Sequence, residues 1–172
     1  RQMCIRDSTC SGCGFINTDR VTLTTGVPTF DAARVLQGFA VTQGDLLIQG
    51  NGLNGNNQTL LELVARGIKV DANVNTPGVL RVVVGSNQWN LDNTHTALTP
   101  GHGAPALALD TAVLGGMYAG QIRMVSTETG LGVRMAGDMA ASAGDIQISA
   151  DGRISASGGW AAKGQALSLI HI

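Results

Sequence analysis

Apolar and polar residues alternate in short bursts along most of this chain. Residues 20–25 (Arg-Val-Thr-Leu-Thr-Thr) set Val21 and Leu23 on one side and polar neighbours on the other. Residues 44–49 (Gly-Asp-Leu-Leu-Ile-Gln) and 67–71 (Gly-Ile-Lys-Val-Asp) follow, and residues 79–84 (Val-Leu-Arg-Val-Val-Val) are more apolar throughout. Residues 120–126 put Ile122 and Met124 on one face with Arg123 opposite, residues 144–149 repeat the scheme, and residues 152–156 echo it. Period-two alternation over such short runs predicts β-strands with one buried face.

The recurring unit is Gly-x-apolar-x-apolar, and its spacing carries the fold. Gly44 and Gly67 are 23 residues apart, and Gly120 and Gly144 are 24 apart. Periods of this size belong to solenoids, and a unit of short strands without a long helix fits the coils of a β-helix. The competing fold is a β-sandwich. Its hairpins would need turn pairs between neighbouring strands, yet Asn51-Gly52, Asn54-Gly55 and Asp151-Gly152 do not join them regularly. Residues 86–105 are polar and rich in Gly and Pro, and read as a long surface excursion.

Composition narrows the picture. Only 13% of the residues are charged, 3% are aromatic, and 24 of 172 are glycine. Such a chain draws its core from Val, Ile, Leu and Ala and makes many tight turns. The low basic charge argues against nucleic-acid binding, and no apolar run reaches the ~20 residues of a membrane helix.

The two ends stand apart from this pattern. Residues 1–8 (Arg-Gln-Met-Cys-Ile-Arg-Asp-Ser) are what CGT CAG ATG TGT ATA AGA GAC AG(N) encodes, and residues 167–172 are what CTG TCT CTT ATA CAC ATC encodes. The two DNA strings are reverse complements over their shared stretch and match a transposase adapter of sequencing libraries. The natural polypeptide is therefore expected to cover residues 9–166, which removes Cys4 and His171 from the candidate chemistry.

Little chemistry remains. Gly50-Asn-Gly-Leu-Asn-Gly55 matches the dinucleotide fingerprint and has Asp71 about 20 residues on. That fingerprint needs a helix at its third glycine, and only residues 59–65 have room for one. Cys10-Ser-Gly-Cys13 has no second ligand pair for zinc and no helix for a thioredoxin-like role. A small structural disulfide and two reduced thiols both remain open. His95 and His102 show no ligand spacing. Asp45 and Asp145 occupy the same place in their repeats but lie far apart along the solenoid. The carboxylates are scattered where a β-helical carbohydrate-active enzyme, the alternative function, would gather several on one face. No catalytic residue, metal or cofactor is expected.

Two stretches resemble a known family. Residues 9–26 (Thr-Cys-Ser-Gly-Cys-Gly-Phe-Ile-Asn-Thr-Asp-Arg-Val-Thr-Leu-Thr-Thr-Gly) look like the segment after the Asn-Pro-Asn-Gly motif of two-partner secretion domains. Residues 106–134, from Ala-Leu-Ala-Leu-Asp to Gly-Leu-Gly-Val-Arg, resemble a later part of the same domain, found in filamentous haemagglutinin and contact-dependent growth-inhibition exoproteins. The resemblance implies an all-β chain folded as a right-handed parallel β-helix, here a fragment. It implies a secretion and folding module that reaches the cell surface through the periplasm and is not an enzyme. The implied partner is an outer-membrane β-barrel transporter of the Omp85 or two-partner type, with a host or neighbouring-cell receptor for the full protein. It places Asn17, Thr18 and Arg20 in the transporter-recognition region and pairs Cys10 with Cys13 as a disulfide. Residues 9–143 then form a partial secretion domain and residues 144–166 begin the downstream repeats. The family commonly carries Asn where Met135 stands.

Overall fold

The computed structural model describes residues 7–164 and 167–171. Most of the first eight residues, together with residues 165, 166 and 172, lie outside the described residues. Every helix or strand element among the described residues is a strand.

Each full coil passes through three strand positions, shown by Val133–Met135, Met139–Ala141 and Ile146–Ala150. Like positions of successive coils pair in parallel register. Val133 lies beside Leu109, Met139 beside Met117, and Ile146 beside Ile122. One stack runs Arg20–Thr24, Leu60–Ala65, Val79–Val84, Gln121–Ser126, Ile146–Ala150, Leu167–His171. The other two converge on the long strand Asp45–Asn54, which serves both and pairs in turn with Ser8–Gly14. The chain is a parallel β-helix, as the repeat spacing predicts.

Inward side chains stack coil upon coil. Leu61, Leu80, Ile122 and Ile146 make one column, all fully buried, and Leu63, Val82, Met124 and Ile148 make the next. Burying each such side chain contributes roughly 1.5–3 kcal/mol. Methionine joins the aliphatic core at Met117, Met135 and Met139. Met135 therefore lies inside the strand Val133–Met135, facing inward.

Three readings are corrected. Residues 59–65, the one place with room for a helix, form the strand Leu60–Ala65. Its two apolar faces are both covered, which erases the alternation. The 86–105 excursion does leave the solenoid, but it carries a hairpin of Asn87–Asn90 and His95–Ala97. That hairpin joins Val27–Phe30 and Leu36–Val41 in a four-stranded antiparallel flap. Phe39, Val41 and Trp89 of the flap pack on Val64 and Val83, the outward residues of two coil strands. Finally, Asp45 and Asp145 do not hold equivalent places. Asp45 pairs with Gly67 in one stack, whereas Asp145 precedes Ile146 in another.

One corner is built from glycines. Gly115, Gly137 and Gly158 lie one above another. A Cβ on Gly137 would sit 2.1 Å from the carbonyl oxygen of Gly115, and one on Gly158 would sit 2.0 Å from that of Gly137. Successive turns touch through their backbones, leaving no room for a side chain. At the last coil, Leu167, Leu169 and Ile170 pair with the Ile146–Ala150 strand and remain half exposed.

Candidate functional site

Of the expected recognition residues, Asn17 and Thr18 lie on the turn between Ser8–Gly14 and Arg20–Thr24, and Arg20 opens the second of these strands. Asn17 adopts a left-handed φ of 56°, a conformation that asparagine tolerates better than most residues. The turn is fastened from the next coil. The Gln58 side chain, 1% exposed, donates Nε2 to the carbonyls of Phe15 and Thr18 at 3.4 and 3.2 Å. Thr59 donates its amide and its hydroxyl to the carbonyl of Asp19. Ile16 projects from the turn with 80% of its surface exposed.

Arg20 points outward from the six-stranded stack and meets Glu62. Its Nε and Nη2 donate to Glu62 Oε2 at 3.0 and 2.8 Å, and the Thr22 hydroxyl donates to the same oxygen at 2.8 Å. Arg81 Nη1 donates to the other oxygen at 2.8 Å, so two guanidinium groups share one fully buried carboxylate. The cluster keeps one positive charge in excess. Asn17, Thr18 and Arg20 line a single groove of about 620 Å³, with Phe15, Leu36 and Phe39 forming its apolar part. The structure brings the three expected residues together. Glu62 and Arg81 escaped the sequence reading, although a lone carboxylate inside Leu-Leu-Glu-Leu-Val-Ala is itself a sign of a buried ion pair.

A second buried pair closes the base of the flap excursion. Arg66, 3% exposed, donates Nε and Nη2 to Glu128 at 3.0 and 2.9 Å. Its Nη1 donates to the carbonyls of Gly101, His102 and Gly103. The amide of Ser86 adds a bond to Glu128 Oε2 at 3.0 Å. These bonds, led by that from Arg66, hold the Glu128 carboxyl below its ordinary pKa.

The other candidates disperse. Cys10 and Cys13 have Cα atoms 5.5 Å apart and sulfurs at bonding distance, and Cys10 is buried against the first coil. Gly50 and Gly52 turn the Asp45–Asn54 strand at a corner with φ of 60° and 76°; no helix follows, so no helix amino terminus faces a pyrophosphate there. His95 stacks beside Trp89 at 6.4 Å, while His102 is exposed. Asp110 pairs with Arg134, and Asp71 with Lys69. The described residues hold no group of three His, Cys, Asp or Glu fit for a metal.

Solenoid and flap define a β-helical domain that carries a groove on its first coil. The family model of the TPS secretion domain matches residues 9–156, and the chain belongs to that family. It superimposes on the crystal structure of a filamentous hemagglutinin secretion domain with a TM-score of 0.81 at 26% identity, over 96% of this chain and 64% of that one. It is 47% identical over 148 residues to Toxin CdiA of Yersinia pestis, covering 85% of this chain and 4% of that protein. It is 42% identical over 166 residues to tRNA nuclease CdiA of Escherichia coli strain NC101, covering 94% of this chain and 5% of that protein. The chain thus spans about a twentieth of the curated relatives it matches, and the nuclease name describes that whole protein. Domains of this family belong to secreted or cell-surface exoproteins.

Proposed function

We propose that the chain is the secretion and folding module of a large surface exoprotein. In this reading an outer-membrane β-barrel transporter recognises it in the periplasm, and the module performs no catalysis itself. The observation that carries the proposal is the first-coil groove, where an exposed turn and an arginine with spare positive charge stand together. The coils favour folding after translocation, because each rests chiefly on its neighbours and adds to a preformed edge. Residues 9–143 would serve as the recognised part and residues 144–166 as the first repeat, with adapter-encoded residues at either end.

In the full-length exoprotein, Asn17→Gly combined with Thr18→Ala is expected to lower export through the cognate transporter at least about tenfold, a loss of ~1.4 kcal/mol in recognition. Glycine relieves the left-handed turn, so the secretion domain keeps its fold. Undiminished export would remove the turn from recognition, and failure of the unaltered protein to leave through any cognate barrel would overturn the module itself.

The same reading takes Cys10 and Cys13 as oxidised in the exported protein. Alkylation without prior reduction is expected to leave both thiols unlabelled by mass. Labelling at either residue would mean free thiols.

A further inference from the structure

The dipeptide Asn-Gly occurs twice at the end of the long strand Asp45–Asn54, as Asn51-Gly52 and Asn54-Gly55, and transporter recognition uses neither. The fold holds the two copies differently. At the second, the Gly55 amide donates to the carbonyl of Asn75 at 2.7 Å, and Asn54 Oδ1 accepts the amide of Asn56 at 3.0 Å. Asn54 also stands in register beside Asn75. The first copy falls where the ladder lapses. Ser8–Gly14 pairs Ser11 with Gln49 and next Cys13 with Leu53, so Gly12 stands alone opposite Gly50, Asn51 and Gly52. Gly50 and Gly52 are both left-handed, at φ of 60° and 76°. Asn51 between them is exposed, and its side-chain amide has no hydrogen-bond partner among the described residues.

We infer that Asn51 is a site of spontaneous deamidation and that the fold protects Asn54 from the same reaction. The main-chain nitrogen of Gly52 gives up its proton and attacks Asn51 Cγ, the side-chain nitrogen leaves as ammonia, and a succinimide closes. Water then opens the ring at either carbonyl to give aspartate or isoaspartate, so that in sum water enters and ammonia departs. Glycine favours the attack because no Cβ crowds its nitrogen. At Asn54 the attack would first have to free the Gly55 amide from Asn75 and turn the side chain away from Asn56. The product has a structural consequence. Isoaspartate lengthens the main chain by one carbon, at a corner so close that a Cβ on Gly52 would stand 2.2 Å from the carbonyl oxygen of Asn73. Conversion therefore loosens the corner between Asp45–Asn54 and Val74–Asn75, and it sets a new negative charge beside Gly12 of the disulfide loop.

The test incubates the full chain at mildly alkaline pH, folded and in guanidinium chloride, and reads each asparagine by fragmenting its peptide in a mass spectrometer. In the folded chain Asn51 is expected to gain one mass unit at least about tenfold faster than Asn54, the rate equivalent of the hydrogen bonds that hold the second pair. In guanidinium chloride the two should convert at similar rates, because only the fold distinguishes them. Conversion of Asn51 should slow at mildly acidic pH, where the Gly52 nitrogen loses its proton less readily. An Asn51 that stays unchanged in the folded chain while converting in denaturant overturns the inference, and so does equal conversion of Asn51 and Asn54 in the folded chain. A slower Asn54 in denaturant as well would assign the difference to sequence and overturn protection by the fold. The converted chain, separated by its added charge, is expected to exchange the amides of Leu53 and Gly55, which reach Asn73 and Asn75, faster than the unconverted chain. Equal exchange would overturn the loosening.

Discussion

Gly137→Val is expected to destabilise the fold by about 3 kcal/mol, the upper end of the usual cost of overpacking. Gly137 is the middle member of the stacked corner. Its new Cβ would meet two backbone oxygens, that of Gly115 at 2.1 Å and that of Ala112 at 2.8 Å. Neither oxygen moves freely. The amide of Ala136 is bonded to Thr111 and that of Met117 to Asp138, so the turns are tied together on both sides of the clash. Relief would require prising two coils apart. Gly130→Ala is the control, because its φ is +81° but nothing stands within 4 Å of its Cβ position. That change should cost only the left-handed penalty of about 1–2 kcal/mol. Urea midpoints of the two variants decide the matter, and equal losses would mean that backbone contact across the corner is not what requires glycine.

Arg66→Ala is expected to cost about 3–5 kcal/mol, the range for breaking a buried ion pair by removing one partner. It would leave Glu128, 11% exposed, without its bidentate donor, and would strip the carbonyls of Gly101, His102 and Gly103 of their shared one. The pair also sets a pH dependence. The folded-state pKa of Glu128 is depressed, chiefly by the hydrogen bonds from Arg66. Its stabilisation is therefore complete above the unfolded glutamate value of about 4.3 and fades as pH falls through the lower folded value. Acid titration of stability should show a shallower loss in that window for Arg66→Ala than for the unaltered chain. Identical slopes would assign the acid sensitivity to other carboxylates.

The solenoid was legible in the sequence because its signal is periodic. Val21 and Leu23, Ile122 and Met124, and Ile146 and Ile148 all face inward as alternation requires. The flap was not legible, for a physical reason. Val64 and Val83 are buried from outside by a separate flap, whose Phe39 and Val41 lie 23 or more positions away from either, so their apolarity looked like noise in a one-sided strand. Trp89 stood in a run of asparagine, glutamine, aspartate, serine and threonine whose polarity spoke for a loop. At the candidate site, Asn17, Thr18 and Arg20 came from family resemblance and not from any local pattern. The carboxylate that holds Arg20 stands 42 residues away along the chain, beyond the reach of any spacing rule.

The flap also gives the molecule a clock. Coil contacts close over 24 residues where no excursion intervenes, as between Ile122 and Ile146, and over 42 where one does, as between Val79 and Gln121. Flap closure joins Val41 to Asn87, 46 residues apart and across an intervening coil. Whichever end of the chain emerges first, the solenoid has begun to stack before both halves of the flap are present. The outer surface of Val64 and Val83 therefore stays wet until the second hairpin arrives. Sealing that flank waits on segments from both sides of the intervening coil, and it marks the moment at which the early coils become a closed body.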